Sequence, residues 1–314
     1  MSTQRIACLG APTEAGASQR GTVMGPAALR TAGLIEALRE LGHEVRDFGD
    51  AAPERPEPIP AGPCKMRNVA EVAAWAQSLT WRGREMIASG SMPVFLGGDH
   101  SIALGTVAAV AADAAARGRQ QFLLWLDAHP DFNTFETSLT GNMHGTPVAF
   151  LCGLPGFGEF PGGGPEAPLD PRNVMMLGIR SADPAECRLI RDHGVTVHDM
   201  RAIDESGIAK LLGPFLEMVA RRDGRLHVSL DVDFLDPEIA PGVGTTVPGG
   251  VTFREAHLAM ELLYDSGLVT SLDLAELNPF LDERGRTARL LTDLTASLFG
   301  RRTMDRQTRT PWSG

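Results

Sequence analysis

The sequence has few cysteines and no long apolar run. Its four cysteines, Cys8, Cys64, Cys152 and Cys187, are scattered without the CxxC spacing of redox motifs and zinc sites. Reduced thiols in a cytosolic protein are therefore expected, with disulfides as the less favoured alternative. No apolar stretch approaches the roughly 20 residues of a membrane helix, and the first residues lack the apolar core of a signal peptide. These absences predict a cytoplasmic protein.

Basic residues are outnumbered by acidic ones. The chain of 314 residues carries 29 Lys and Arg against 39 Asp and Glu, which gives a formal net charge of −10. A nucleic acid or an anionic membrane surface requires clustered basic side chains, so neither is an expected partner. A small cationic substrate fits this charge better, although many acidic proteins bind nothing positive.

Apolar segments alternate with helical patterns along almost the whole chain, and 43% of the residues are hydrophobic, enough for a large core. Strands are predicted at residues 6–10, 45–48, 93–96, 122–126, 174–179, 195–197, 226–230 and 269–274. Helices are predicted at residues 26–41, 68–88, 106–116, 184–192, 208–221, 252–265 and 287–299. This alternation indicates an α/β protein of three layers, α/β/α, with a mostly parallel central sheet.

Neither an internal repeat nor a change in composition divides the chain, so residues 1–314 are predicted to form one domain. The proline-rich residues 53–63 are interpreted as a loop, and residues 153–171, rich in Gly and Pro, as a surface excursion. Gly213-Pro214 leaves open whether the helix at 208–221 is continuous. The polar, basic tail 301–314 is either disordered or ordered only by a neighbouring subunit.

Acidic and histidine side chains follow three of the predicted strands. They are His100 after strand 93–96, Asp127, His129 and Asp131 after strand 122–126, and Asp231 and Asp233 after strand 226–230. The carboxyl ends of parallel strands share one edge of the sheet, where ligands bind. In an extended chain, the spacing of two residues also places the members of each group on the same side.

Four carboxylates at one edge repel each other unless a cation lies among them. A set rich in oxygen and without a thiolate fits a hard ion such as Mn²⁺, and two ions with bridging carboxylates are the simplest arrangement. The alternative is that each acidic residue caps a helix or faces water in a loop. That alternative does not account for three such motifs at three strand ends.

Three segments resemble the metal-binding signatures of the ureohydrolases, the arginase and agmatinase superfamily. They are Gly97-Gly98-Asp99-His100-Ser101, Asp127-Ala128-His129-Pro130-Asp131 and Ser229-Leu230-Asp231-Val232-Asp233-Phe234-Leu235-Asp236-Pro237. The resemblance covers residues 6 to 299 and implies two Mn²⁺ ions per subunit. The implied ligands are His100, Asp127, Asp131 and Asp231 for one ion and Asp127, His129, Asp231 and Asp233 for the other. Asp127 and Asp231 bridge the two ions in this family.

The segment after the second signature reflects the substrate in this superfamily. Residues 132–145 are similar to the arginases, where an Asn, hydroxyl residues and a Gly-Asn-x-His-Gly turn hold the α-carboxylate of the amino acid. The resemblance gives this role to Asn133, Ser138, Thr140 and Asn142. Residues 179–186 resemble the arginase segment whose acidic residues, here Asp183 and Glu186, face the α-amino group. Taken alone, this Asp-Pro-x-Glu pattern is also that of a helix N-terminus.

Three further residues complete the implied catalytic site. His144 lies where the family has its proton-shuttle histidine, a role that suits a group titrating near neutral pH, although isolated loop histidines are more often structural. Glu276 lies in a segment similar to the family's Asp-x-x-Glu-x-Asn-Pro element, whose Glu pairs with a guanidinium through two parallel hydrogen bonds. Asp131 has the role of relaying a proton. Thr245 is implied to contact substrate, in a turn that has Thr246 where the family usually has proline.

The resemblance therefore implies hydrolysis of L-arginine to L-ornithine and urea by metal-activated water. One alternative is a related ureohydrolase that acts on agmatine, guanidinobutyrate or another guanidino compound. Another is a catalytically silent metal-binding homologue. The family's habit of forming trimers and hexamers predicts a homo-oligomer.

Overall fold

The computed structural model describes residues 3–53 and 65–302. Within these residues the strands are Arg5–Ala11 (β1), Glu44–Asp50 (β2), Met92–Gly97 (β3), Gln121–Leu126 (β4), Val174–Ile179 (β5), Thr196–Asp199 (β6), Arg225–Asp231 (β7) and Val269–Ala275 (β8). They form one sheet in the order β2-β1-β3-β8-β7-β4-β5-β6. Every pair of neighbours is parallel, which requires crossover connections between the strands.

Helices supply these crossovers. In the described chain they are Gly25–Thr31 (α1), Leu34–Glu40 (α2), Val69–Ala88 (α3), Ala103–Ala116 (α4), Pro147–Leu151 (α5), Pro184–His193 (α6), Met200–Ser206 (α7), Ile208–Arg221 (α8), Phe253–Ser266 (α9) and Arg286–Leu298 (α10). Among them, none is long and apolar enough to cross a lipid bilayer.

Two apolar clusters lie on opposite faces of the sheet. Along β4, Leu124 and Leu126 belong to the cluster that α8, α9 and α10 cover, whereas Leu123 and Trp125 belong to the one that α3 and α4 cover. All six residues of β4 are buried, as expected for a parallel strand with helices on both sides. The predicted three-layer α/β/α fold is confirmed, and its mostly parallel sheet is parallel throughout the described strands.

The prediction of one helix over residues 26–41 was wrong. Gly33 adopts the left-handed conformation with φ 85, which a continuous α-helix does not contain, so the chain turns between α1 and α2. At Gly213-Pro214, where the sequence left the continuity of the helix open, α8 continues through Pro214. The five-residue α5 and the seven-residue α7 were missed, and α4 begins at Ala103, three residues before the predicted start.

Residues 153–171, interpreted as a surface excursion, are mostly exposed or half-buried, but a few of their apolar side chains reach the core. Phe157 and Phe160 are each 6% exposed, and both rings pack against Phe150 of α5. The Gly and Pro content correctly indicated irregular backbone, but apolar side chains anchor that backbone to the core.

Several predictions fall on residues outside the described part of the chain. They concern the loop at residues 53–63, of which only Pro53 is described, the thiol of Cys64, and the tail 301–314 beyond Arg302. Of the other cysteines, Cys8 and Cys152 are buried, Cys187 is exposed, and all three are free thiols.

Candidate active site

Four strands in the middle of the sheet bring the predicted ligands together. β3, β8, β7 and β4 are consecutive neighbours, and their carboxyl ends border a cavity of about 250 Å³. Its lining includes Asp127, His129, Asp131, Asp231 and Asp233. His100 lies behind them, 1% exposed. We refer to these six residues as the metal wall.

The spacing of two residues in the metal wall arises from turns and not from an extended chain, so that part of the prediction was wrong. β4 ends at Leu126, and the Asp127 Oδ1 atom accepts a hydrogen bond from the His129 backbone N–H at 2.6 Å. Asp231 Oδ1 likewise accepts from the Asp233 N–H at 2.8 Å. Each aspartate thus uses one oxygen to close a turn over the second residue after it. Its other oxygen lies close to His100 Nδ1.

The metal wall contains two groups of atoms that could each hold an ion. One group is His100, Asp127 and Asp231, and the other is Asp127, His129 and Asp233, with the atoms of each group within 4.8 Å of one another. Asp127 belongs to both groups. Asp131 lies beside the first group, with Oδ2 3.5 Å from His100 Nδ1. Asp231 falls in the first group only, and its bridging role remains a prediction.

The chemistry of the metal wall fits a pair of divalent cations. His100 Nδ1 lies 3.0 Å from Asp127 Oδ2 and 2.9 Å from Asp231 Oδ2, yet within the described residues Nδ1 and Asp127 Oδ2 are buried without a properly aligned hydrogen bond. Two unit negative charges within 4.8 Å of one another repel by at least about 3.5 kcal/mol at an effective dielectric constant of about 20. A bound cation reverses the sign of this cost.

The pKa shifts of the aspartates also reflect the repulsion between these buried carboxylates. Burial and then the charge of Asp127 raise the pKa of Asp131 well above its usual range. Burial and the charge of Asp233 do the same for Asp231. Asp127 differs, because although burial raises its pKa, the adjacent imidazoles of His100 and His129 lower it by more. The protein alone therefore does not favour ionisation of every carboxylate that a metal pair needs.

Residues that the sequence analysis did not assign hold the metal wall in place. The ring of His100 stacks on Trp125, with the centroids 3.9 Å apart, and His100 Nε2 lies 2.8 Å from Ser229 Oγ. Ser229 precedes Asp231 by two residues on β7, so strand alternation could have identified it. Trp125 carries no comparable signal in the sequence.

The two glycines before Asp99 allow close approach of neighbouring backbone segments. Both have ordinary negative φ values. A Cβ atom on Gly98 would lie 1.9 Å from the Thr13 carbonyl oxygen, and one on Gly97 would lie 2.6 Å from that of Leu274. Glycine therefore lets the end of β3 fit between the first loop and β8.

Buried Glu276 and half-buried His144 form a pair at one side of the cavity. His144 Nδ1 lies 2.8 Å from Glu276 Oε1, which also accepts from the His100 backbone N–H at 2.9 Å. Although burial opposes it, the charge of His144 keeps the pKa of Glu276 below its usual value. Because Oε1 already accepts twice, Oε2 is the atom free for a guanidinium.

Opposite the metal wall lies a set of polar side chains from turns and the start of α6. Five of the predicted substrate-binding residues line the cavity here, namely Asn133, Thr140, Asn142, Asp183 and Glu186. We refer to these five residues as the rim. Thr245 also lines the cavity and donates to Asp233 Oδ2 at 3.1 Å. Ser138 is not part of the lining, and its hydroxyl accepts from the Gly141 N–H at 3.1 Å.

Glu186 fits the helix-terminus interpretation, and it also lines the cavity, where its contact with an α-amino group remains a prediction. It caps α6 by accepting from the Asp183 N–H at 2.9 Å, and it also accepts from the Phe132 N–H at 3.1 Å. Burial raises its pKa to about 7 despite these two hydrogen bonds. A capping residue can therefore change its charge near neutral pH while facing the cavity.

Arg180 is a further residue that the sequence analysis missed. Its guanidinium donates to the carbonyl oxygens of Asp233 and Val247 at 2.6 and 2.7 Å. These contacts connect the segment after β7 to the turn that carries Thr245. Its place directly after β5 was the available signal, but an arginine held by backbone carbonyls has no local sequence pattern.

The sequence and the fold are similar to those of known arginases. The model of the arginase family matches residues 4–300. The arginase of Agrobacterium fabrum is 58% identical over 301 residues, covering 96% of this chain and 92% of that protein. The native arginase structure from Bacillus caldovelox has a TM-score of 0.88 at 39% identity, covering 96% of this chain and 100% of that one. The Entamoeba histolytica arginase, solved in complex with L-ornithine, has a TM-score of 0.84 at 28% identity, with coverage of 96% and 100%.

Proposed function

The chain belongs to the arginase family of hydrolases, and we propose that it hydrolyses L-arginine to L-ornithine and urea with two Mn²⁺ ions. One observation carries the proposal: two metal-binding groups that share Asp127 face neutral hydrogen-bond donors across the same cavity. The first feature suits hydrolysis at a guanidinium carbon. The second suits an amino acid carboxylate.

The metal wall holds the cofactor in this proposal. His100, Asp127, Asp131 and Asp231 bind one ion, and Asp127, His129, Asp231 and Asp233 bind the other. When bound, such ions polarise the substrate and lower the pKa of water enough to provide a nucleophile near neutral pH. Oxygen and imidazole ligands without thiolate favour Mn²⁺ over structural Zn²⁺.

The remaining side chains bind the substrate and move protons. Glu276 Oε2 accepts a hydrogen bond from the guanidinium, which is a strong interaction because both partners are charged. Asp131 passes a proton to the departing amine. His144, which pairs with Glu276 and lines the cavity, then exchanges protons between the site and solvent. Asp183 and Glu186 attract the α-ammonium group, and Asn133, Thr140 and Asn142 bind the α-carboxylate. Ser138, which does not line the cavity, supports the turn at Gly141, and Thr245 supports the site from beside Asp233.

Urea release from several guanidino compounds tests the proposal. Protein loaded with Mn²⁺ is assayed with L-arginine, agmatine and guanidinobutyrate, and its metal content is measured in the same preparation. We expect turnover of L-arginine, weak or absent turnover of agmatine, and two ions per chain. Preferential hydrolysis of agmatine or guanidinobutyrate contradicts the substrate assignment. No urea from any of the three, with both ions bound, indicates a silent homologue.

The proposal extends to the state of the protein. We propose that residues 1–314 form one domain with a polar tail at 301–314, and that the protein is a cytoplasmic homo-oligomer, trimeric or hexameric. Reduced thiols and a net charge of −10 support a cytoplasmic enzyme without nucleic acid or membrane partners. Light scattering of the purified protein measures the number of chains directly.

A further inference from the structure

Two amides of the rim have their oxygen atoms occupied by the protein. Asn133 Oδ1 accepts from the Thr137 hydroxyl at 2.9 Å. Asn142 Oδ1 accepts from the Ser18 hydroxyl at 2.8 Å. Both amides line the cavity, and an amide whose oxygen is engaged presents its NH₂ group to whatever lies on the other side.

The oxygen of each of these two hydroxyls also accepts a hydrogen bond from another group, and this determines where the hydroxyl's own hydrogen points. Thr137 Oγ1 accepts from the Thr134 backbone N–H at 2.8 Å, so its single hydrogen goes to an acceptor. Asn133 Oδ1 at 2.9 Å is closer than the alternative acceptor, Thr134 Oγ1, at 3.4 Å. Ser18 Oγ accepts from the Arg67 guanidinium at 2.8 Å. Its hydrogen then goes to Asn142 Oδ1.

The same logic applies to the hydroxyl between the two amides. Thr140 Oγ1 accepts from the Asn142 backbone N–H at 3.1 Å, which leaves its hydrogen available to the cavity. Asn133 Nδ2 lies 3.4 Å from Asp183 Oδ2, so one of its two hydrogens is near the rim carboxylate and the other is available. Within the described residues, Asn142 Nδ2 has no protein acceptor. This side of the rim therefore offers hydrogens and hardly any lone pairs.

We propose that Ser18 and Thr137 are specificity-determining positioning residues, which orient the two rim amides so that the cavity selects a carboxylate by hydrogen donation. This inference rests on the proposed function, since it explains how a neutral subsite prefers L-arginine to its decarboxylated analogue. Many residues of the cavity lining are acidic and repel a carboxylate. The part of the cavity that binds the carboxylate must therefore offer hydrogen-bond donors without negative charge. A freely rotating amide could present its oxygen and repel the carboxylate, and the two hydroxyls prevent this.

The variants Ser18→Ala and Thr137→Val remove one hydroxyl each, and Thr137→Ser retains it. We expect each deletion to raise the KM for L-arginine roughly 10-fold, as for weakening one hydrogen bond to a charged group. The kcat for L-arginine and the kinetics with agmatine should change less than about twofold, because the metals and guanidinium contacts are untouched. Thr137→Ser should restore the wild-type KM. Thr31→Val, which removes an exposed hydroxyl on α1, is the matched control.

Binding measurements separate this inference from the proposed function. Isothermal calorimetry compares L-ornithine with putrescine, which lacks the carboxylate, on wild-type protein and both variants loaded with Mn²⁺. Preference of the wild type for L-ornithine, reduced in both variants, supports the inference even if no urea is released from L-arginine. Equal binding of the two amines by the wild type overturns it even if urea is released. Equal losses for L-arginine and agmatine in the variants also overturn it, since they indicate a purely structural role.

Discussion

The metal wall and the rim face each other across one cavity but are built differently. Metal-wall aspartates lie at or just after strand ends, and each turn is closed by the aspartate's own side chain over two residues. Rim side chains lie in turns and depend on hydroxyls of other segments, such as Ser18, 124 residues before Asn142. One side is therefore determined by local sequence and buried strands, and the other by contacts between distant segments. We expect changes in the metal wall to affect turnover and changes in the rim to affect substrate affinity.

The largest effect is expected from removing a metal-wall ligand. His129→Ala or Asp233→Ala should lose the second ion and lower kcat by about 10³-fold or more, because the nucleophile depends on the metal pair. Metal analysis together with urea release measures both effects. Asp204→Asn, at an exposed position far from the cavity in sequence, is the control. A His129→Ala variant that binds two ions and keeps full turnover would contradict the claim that the metal wall determines turnover.

A smaller effect is expected one contact behind the metal wall. Ser229→Ala removes the partner of His100 Nε2 and should weaken metal affinity about 10- to 100-fold, the usual range for groups that orient a ligand. Excess Mn²⁺ should restore kcat. Titration of the metal-free protein with Mn²⁺, followed by urea release, measures the shift. A loss of kcat that excess metal does not restore contradicts the orienting role.

Replacing a hydrogen-bond donor of the rim by an acceptor should affect substrate affinity and leave metal binding unchanged. Asn133→Asp places a carboxylate where an NH₂ group is available and should raise the KM for L-arginine about 10-fold or more by charge repulsion. Metal content and kcat should remain near the wild-type values. Steady-state kinetics with L-arginine and agmatine provide the measurement. A variant that loses metal instead shows that the two sides are not independent.

The smallest effect is a dependence of affinity on pH. Burial raises the pKa of Glu186 to about 7, so this carboxyl gains its negative charge as the pH rises through that value. Attraction of the α-ammonium group then strengthens, and the KM for L-arginine should fall a few-fold between about pH 6 and pH 8. Glu186→Gln should flatten the profile. The opposite slope in the wild type, or an unchanged slope in the variant, contradicts the assignment.

Sequence patterns predicted the elements whose signal is local. The eight strands follow from apolar runs, and α9 ends as expected at Gly267, which takes the left-handed conformation. The single helix over residues 26–41 was wrong because a glycine inside a helical pattern reveals neither its φ nor the turn that it allows. The buried Phe157 and Phe160 were missed because composition describes backbone irregularity and not where side chains pack.

The same limit applies to the cavity. The metal wall was predictable because its ligands recur at fixed spacing after strands. Ser18 and Arg180 were not, because each acts through a hydrogen bond to a residue far away in the sequence. Thr137 was missed because its bond to Asn133, four residues earlier, lies in an irregular turn that no residue pattern indicates. The backbone conformation of the site was equally unpredictable. Asp131 and Glu276 have φ values of 48 and 63, in the left-handed region that residues other than glycine rarely adopt. Such strain is imposed by the surrounding fold and leaves no signature in residue type.

The position of β8 also has a consequence for how the protein is made. β8 lies between β3 and β7, which have no direct pairing in the described sheet, so it joins the half β2-β1-β3 to the half β7-β4-β5-β6. It is the last of the described strands along the chain, and it emerges from the ribosome after both halves. Closing the sheet therefore needs contacts between distant parts of the sequence, which slows folding. His100, on one half, meets Asp127 and Asp231, on the other, only after synthesis has passed residue 275.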